Sequence, residues 1–197
     1  MNKNFNITRR DFLKLSGFSL MTLGLMTSCT QKQFETIILW MVELAEEINN
    51  YRKQNGLAAI PISDDLTAVA LKHCIDLNTY QPEKACGDKG NAHSWSNNGN
   101  WTGAYGNGAF KGCCYAPDHS NAACMWDKPK EITNYQGNGY EIAHWESSTA
   151  TAQSALISWK GSAGHNAVIL EQGGWGPWKA LGAIYMGNYA CAWFGKI

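Results

Sequence analysis

From Phe34 to Asn55 apolar residues recur at spacings of three and four. Ile37, Met41, Leu44, Ile48 and Tyr51 fall on one stripe of a helix, and Gly56 is a natural stop. Leu57 to Ile62 reads as a short extended link around Pro61. Ser63 can then cap a second helix from Asp64 to Tyr80, with Leu66, Val69, Ala70, His73, Cys74 and Leu77 on its buried side. Across residues 81–140 the periodicity disappears and Gly, Asn, Cys and Trp dominate, so this long irregular stretch needs something to tie it down. Ser148 or Thr149 is the expected cap of a third helix that runs through Ala152, Ala155 and Leu156 to Trp159. Gly161 and Gly164 break it, which puts His165 at a chain reversal pinned by the apolar run Ala167 to Leu170. Strict alternation follows: Leu181, Ala183 and Tyr185 against Gly182, Ile184 and Met186. Gly187-Asn188 is a hairpin turn, and Tyr189 to Phe194 is the return strand.

The N-terminus has a different pattern. Thr8-Arg9-Arg10-Asp11-Phe12-Leu13-Lys14 precedes the apolar, weakly polar run Leu15 to Met26. A basic start, a short apolar core and small residues describe an export signal, too short and too rich in Ser, Thr and Gly to cross a bilayer. Adjacent Arg9 and Arg10 look like a twin-arginine signal, used to export folded proteins. Met26-Thr27-Ser28-Cys29 resembles a lipobox, whose cleavage leaves Cys29 as a lipidated N-terminus. The expected division is a signal over 1–28, an anchor and short linker over 29–39, and one domain over 40–197. The expected location is a membrane-anchored lipoprotein facing the periplasm or the cell exterior, with the membrane as a partner through Cys29.

Removing residues 1–28 leaves 169, enough for one well-buried domain. Those residues carry four of the 16 basic and one of the 16 acidic side chains, so the remainder has net charge −3. There is no basic stripe, and nucleic acid is excluded as a partner. Apart from Cys29, six cysteines remain: Cys74, Cys86, Cys113, Cys114, Cys124 and Cys191. An even number in an exported domain predicts disulfides, and these are the expected tie for the irregular stretch. Six cysteines allow 15 pairings, and Cys113-Cys114 can be one vicinal bridge or parts of two. Zinc is the rival reading, but there is no Cys-x-x-Cys pair.

Four blocks in order resemble the bacterial branch of the CAP superfamily, which contains the cysteine-rich secretory, antigen 5 and pathogenesis-related class 1 proteins (the SCP domain). Trp159, Ser162, Gly164, His165, Ile169 and Leu170 match the family's Trp-x-x-Ser-Pro-Gly-His-Arg-x-x-Ile-Leu block, with Ala163 in place of Pro and Asn166 in place of Arg. Ile48 to Leu57 resembles its first helix and exit, His93-Ser94 its His-Ser/Thr pair, and Gly139-Tyr140-Glu141-Ile142-Ala143 a displaced Gly-Glu-Asn-Ile-Ala block. The resemblance covers roughly residues 40–197. It implies an α/β fold: an α-β-α sandwich with a small antiparallel sheet between helical layers, here with a long disulfide-tied loop region.

The resemblance also implies a central cleft lined by His93, Glu141 and His165. Two imidazoles and a carboxylate are a reasonable set of zinc ligands, so zinc is the one cofactor to consider, and they can equally form an acid–base pair. His144 or Glu146 can stand in for Glu141, since Glu141 and His144 share a face if that segment is helical. Ser94 has no Asp at a recognisable spacing to complete a triad, His73 reads as structural, and His119 has no assigned role. Trp95, Trp101, Trp126, Trp145, Trp175 and Trp178 lie outside the expected helices, where indoles can stack on sugars or hold apolar ligands. The expected role is binding of a small apolar molecule, a glycan or a protein in the cleft, rather than catalysis. The alternatives are a metal-dependent hydrolase using His93 and His165, or an interaction module working through the cysteine-rich loop.

Overall fold

In the computed structural model of the chain the described residues are 31–103, 106, 108–116 and 118–197, with the backbone alone for 31–41. The expected signal, with Arg9, Arg10 and Cys29, lies outside them. Helix α1 spans Gln31–Gln54, so residues expected as linker from 31 onward are already helical. Among the described residues no helix is long and apolar enough to cross a membrane.

Helix α2 spans Asp64–Tyr80 and starts where the capping chemistry places it. The Ser63 hydroxyl accepts from Leu66 N at 3.3 Å, and Asp64 and Asp65 occupy the first turn. Three strands, β1 (Gly139–Trp145), β2 (Ala180–Met186) and β3 (Tyr189–Gly195), form one antiparallel sheet in the order β1-β3-β2. The hairpin turn at Gly187 needs the positive φ of +57° that glycine adopts without strain.

The central strand β3 is buried along its whole length, because both sheet faces are covered. Tyr189, Cys191 and Trp193 pack with Leu66, Val69, Cys74 and Leu77 of α2 on one face. Ala190, Ala192 and Phe194 pack on the other with Leu44 and Ile48 of α1, with Leu156 and Trp159 of helix α6 (Ala152–Gly161), and with Val168 and Ile169 of helix α7 (Ala163–Ile169). This is the α-β-α sandwich that the sequence resemblance implied. Gly182 lets α2 lie directly on β2, since a Cβ there would stand 2.1 Å from Leu66 C and Thr67 N. Arg52 clamps the far end of α1, donating to Ala58 O at 3.1 Å and Ile169 O at 2.5 Å and pairing with Glu171 at 2.8 Å.

Between α2 and β1 the chain forms helices α3 (Pro82–Ala85), α4 (Ala122–Trp126) and α5 (Lys128–Ile132), and a 3-10 turn at Gly87–Lys89. Two disulfides tie it, Cys86–Cys114 and Cys113–Cys124, so the adjacent pair serves two separate bridges. Cys74 and Cys191 depart from the expectation of six paired cysteines: both are buried thiols, one on α2 and one on β3. Buried polar groups add to the tie. Lys128 Nζ donates to Thr102 O at 3.0 Å and Glu131 at 2.7 Å, and Asp76 accepts from Ser96 N at 2.8 Å.

Three local expectations change. The third helix is capped by Thr151 in a reciprocal box with Ser154, not by Ser148 or Thr149, which lie in the turn before it. The segment after Ser162 is a new helix, α7, with Gly164 and His165 in its first turn, not a reversal. Gly164 costs helix stability, but Val168 and Ile169 gain burial that outweighs it. Residues 139–145 form a strand, so Glu141 and His144 point to opposite faces of the sheet.

Gly182→Ala is expected to lower unfolding free energy by at least about 1–3 kcal/mol, because the backbone of α2 has to retreat. Urea denaturation measures this, and an unchanged midpoint would rule out the close approach.

Candidate functional site

Three elements bring the site together: α2 supplies His73, the loop after α3 supplies His93, and β1 supplies Glu141. Alternation along β1 sends Glu141 to the α2 face of the sheet, where its side chain is fully buried. A buried carboxylate needs partners for both oxygens, and Glu141 has them. His73 Nδ1 lies 2.5 Å from Oε1, and His93 Nδ1 lies 2.8 Å from Oε2. His73 Nε2 faces the carbonyl of Ser94 at 3.0 Å, so both its nitrogens meet acceptors and the ring is an imidazolium. Trp95 lies flat against it, centroids 4.0 Å apart and planes within 5°.

Burial disfavours both charges, but the pair overcomes it. Desolvation alone would raise the Glu141 pKa, yet the charge and hydrogen bond of His73, followed by His93, hold it at about 2. Desolvation alone would lower that of His73, yet Glu141, the Ser94 carbonyl and Asp76 raise it. Next to this pair Cys191 Sγ lies 3.8 Å from His73 Nδ1.

His93 is the partly exposed member, its side chain 18% accessible and its ring edge-on to Tyr115 at 5.1 Å. His165 is half-buried, and its Nδ1 is buried without a hydrogen-bond partner. Burial lowers its pKa first, then the charges of His93 and His144, against the opposing pull of Glu141. The structure therefore joins His93 directly to Glu141 and sets His165 within their electrostatic reach. His144 Nε2 lies 3.5 Å from Glu146, too long for a hydrogen bond, and Glu146 is hydrogen-bonded to Ser148 and Ser154 instead. His144 and Glu146 do not replace Glu141.

His93, Glu141 and His165 do not form a ready three-ligand metal site. Both oxygens of Glu141 are occupied, and among the described residues the donors found within 4.8 Å of one another are those of His73, Glu141 and Cys191. Of His93, Glu141 and His165, His165 is the one with a buried ring nitrogen, Nδ1, that has no hydrogen-bond partner. Ser94 Oγ accepts from Asn91 N at 3.2 Å and Tyr115 N at 3.1 Å. His119 bonds Tyr115 OH at 2.7 Å. Sequence reasoning missed His73, treating it as structural. The available signal was an ionisable side chain on the apolar side of α2, a position that requires a buried partner.

The tryptophans divide into two groups. Trp95 is fully buried behind His73, with Trp101 edge-on to it at 5.0 Å. Trp126, Trp175 and Trp178 gather around Tyr140 with ring centroids 5.6, 5.8 and 5.5 Å from it, and Lys196 Nζ lies over Tyr140 and Trp178. Trp175 is 36% exposed, and Trp178 is anchored by donating to Val168 O at 2.8 Å. Trp145, 55% exposed, stands apart from both groups.

The buried pair sets a pH window. Glu141 has a depressed pKa, so its contribution is present above its ordinary value of 4.5 and is lost as pH falls toward about 2. His73 has a raised pKa, so its contribution is full below 6.5 and is lost as pH climbs through the raised value. The pair therefore contributes fully between pH 4.5 and 6.5. Glu141→Gln is expected to cost about 3–5 kcal/mol in that window, by denaturant unfolding, and less on either side of it. A loss independent of pH would contradict the ion pair.

No protein-family model matches the sequence, and no curated protein is significantly similar to it. Solved structures do share its architecture. A cysteine-rich secretory protein from Staphylococcus aureus is similar over 83% of this chain and 40% of its own, with 15% identity and a TM-score of 0.50. An extracellular protein containing an SCP domain, from Bacillus anthracis, is similar over 86% of this chain and 44% of its own, with 14% identity and a TM-score of 0.52. The chain spans less than half the length of either. With α2 on one face of a three-stranded sheet and α1, α6 and α7 on the other, the chain has the fold of the SCP domain.

Proposed function

We propose that this chain is an exported, lipid-anchored CAP-domain protein that binds a glycan and does not process it. The saturated carboxylate carries the choice of binding over catalysis. Glu141, the carboxylate that would serve as a base here, is fully buried, spent on two imidazoles and holds a depressed pKa, so it is a poor proton acceptor. The aromatic group supports the ligand class. Tyr140, Trp126 and Trp175 are partly exposed, and Lys196 adds a cation beside them. Ring faces stack on the C–H faces of sugars, and a nearby ammonium favours sugars bearing carboxylates. Helix α7 links this group to the cleft, with His165 in its first turn and the Val168 carbonyl holding Trp178 near its end.

Cosedimentation of the full chain with purified cell-wall sacculi tests the reading. Trp175→Ala and Tyr140→Ala should each weaken binding about 5- to 10-fold or more, in line with about 1–1.5 kcal/mol for one aromatic contact. His165→Ala should leave it unchanged. Equal pelleting of the wild type and both aromatic variants would end the glycan reading.

Anchoring has its own test. Cys29→Ser should move the protein from the membrane to the soluble fraction, and replacing Arg9 and Arg10 together by Lys should block export.

The orphaned His165 Nδ1 favours a second reading, in which a metal sits between His165 and His93 and the domain is a hydrolase. Metal analysis of wild type against His165→Ala, alongside hydrolysis of ester and glycoside substrates, separates the two.

A further inference from the structure

The aromatic group around Tyr140 has a cation built into it. Lys196 Nζ lies 5.5 Å from the Tyr140 ring centroid and 5.6 Å from that of Trp178. Both distances are within reach of a cation–π contact. Lys196 is exposed, and among the described residues it has no carboxylate partner. We propose that Lys196 is the specificity-determining residue of this group and selects glycans that carry a carboxylate on or beside the stacked ring. Selection of this kind presupposes the glycan reading above and goes further, since stacking alone accepts neutral and acidic sugars alike.

The fold holds Lys196 in place. Tyr140 and Phe194 are partners across β1 and β3, and alternation brings Lys196, two residues on, back toward the face where Trp178 packs on Phe194. The backbone on either side is tied. Lys179 N donates to Gly195 O at 2.8 Å, and Tyr135 OH donates to Ile197 O at 2.8 Å. A flexible stem on a fixed backbone keeps the ammonium beside the rings while its tip can move.

The carboxylates around the group are already engaged. Asp127, next to Trp126, pairs with Lys130 at 2.7 Å, and Lys130 also donates to Asn138 Oδ1 at 2.8 Å. Glu171, packed against Gly176 in the turn between Trp175 and Trp178, pairs with Arg52 at 2.8 Å and accepts from Trp178 N at 3.0 Å. Lys179, next to Trp178, is exposed and has the same sign as Lys196. Lys196 is therefore left on the rings with its charge available to a ligand.

Discrimination follows from what the ammonium does before a ligand arrives. A neutral sugar that stacks on Tyr140 pushes Lys196 off the ring and returns nothing for the lost cation–π contact. A sugar carboxylate gives the displaced ammonium an ion pair beside apolar ring surface, where charges attract more strongly than in open water. One side chain thus disfavours neutral sugars and favours acidic ones.

The test uses the full chain and two hexasaccharides. One alternates N-acetylglucosamine with glucuronic acid, and the other is the same molecule with each carboxyl reduced to an alcohol. Titration calorimetry at low ionic strength should show the acidic form binding about 5-fold tighter, the upper range for an exposed ion pair. Raising the salt to about 0.5 M should shrink the difference. Lys196→Met should abolish it by weakening the acidic form while leaving the neutral one unchanged or tighter, and Lys196→Arg should retain it. Trp175→Ala should weaken both forms alike. Acetate at matched ionic strength should not compete, because a free carboxylate has no ring to stack. Equal binding of both forms by the wild type overturns selection by Lys196 and leaves the glycan reading intact. A preference that survives Lys196→Met, or equal weakening of both forms by that variant, does the same. Binding of neither form also overturns the assignment, and pelleting with sacculi then decides separately whether the glycan reading stands.

Discussion

A single carboxylate, Glu141, sits fully buried on the inner face of an edge strand, and the architecture around it follows from that placement. Removing a carboxylate from water costs several kcal/mol, so the fold has to supply charge and hydrogen bonds at both oxygens. The partners come from far along the chain: His73 is 68 residues before it and His93 is 48. The interaction therefore fixes helix α2, the loop entry at His93-Ser94 and strand β1 in one arrangement. Ser94 contributes twice, its carbonyl holding His73 Nε2 and its hydroxyl accepting from two backbone amides. The same requirement gives Trp95 its place, since an indole stacked on the imidazolium shields it from water without offering a competing acceptor.

The sandwich makes this burial possible. With only three strands, the sheet gains enough covered area only if both faces are packed, and the central strand shows the consequence. Odd-numbered β3 residues meet α2, while even-numbered ones meet α1, α6 and α7. The α2 face holds the Glu141 ion pair and the two thiols, whereas the packed residues of the other face are aliphatic and aromatic. His93 and His165 come from different parts of the fold, the loop beside α2 and helix α7, and their environments differ. One is held by a carboxylate, and the other is half-buried with an unsatisfied nitrogen.

The loop region between α2 and β1 has few long elements, so its order comes from covalent and polar ties. The bridges Cys86–Cys114 and Cys113–Cys124 enclose short loops, and each limits the freedom of the unfolded chain. Buried Lys128 and Asp76 then fasten the loop to its surroundings through backbone groups, because loop backbone taken from water must find partners.

The sequence by itself determined the elements whose signals are local. Period and capping placed α2 from Asp64 to Tyr80, alternation and Gly187-Asn188 placed the hairpin, and the ordered blocks led to the sandwich and named His93 and Glu141, which the fold brings into contact. Tertiary structure decided whatever depends on residues far apart. Residues 139–145 have no strong strand period, and they become a strand because β3 offers a free edge. Gly164 reads as a break, yet it lies inside a helix because burial of Val168 and Ile169 outweighs its propensity. The choice of four cysteines for bridges and two for thiols is a matter of distance in the fold, which no spacing encodes. His73 shows the division most clearly. The sequence put it on the buried side of α2, but only the packing of α2 against the sheet gave it Glu141 as a partner and made it a charge at the centre of the site.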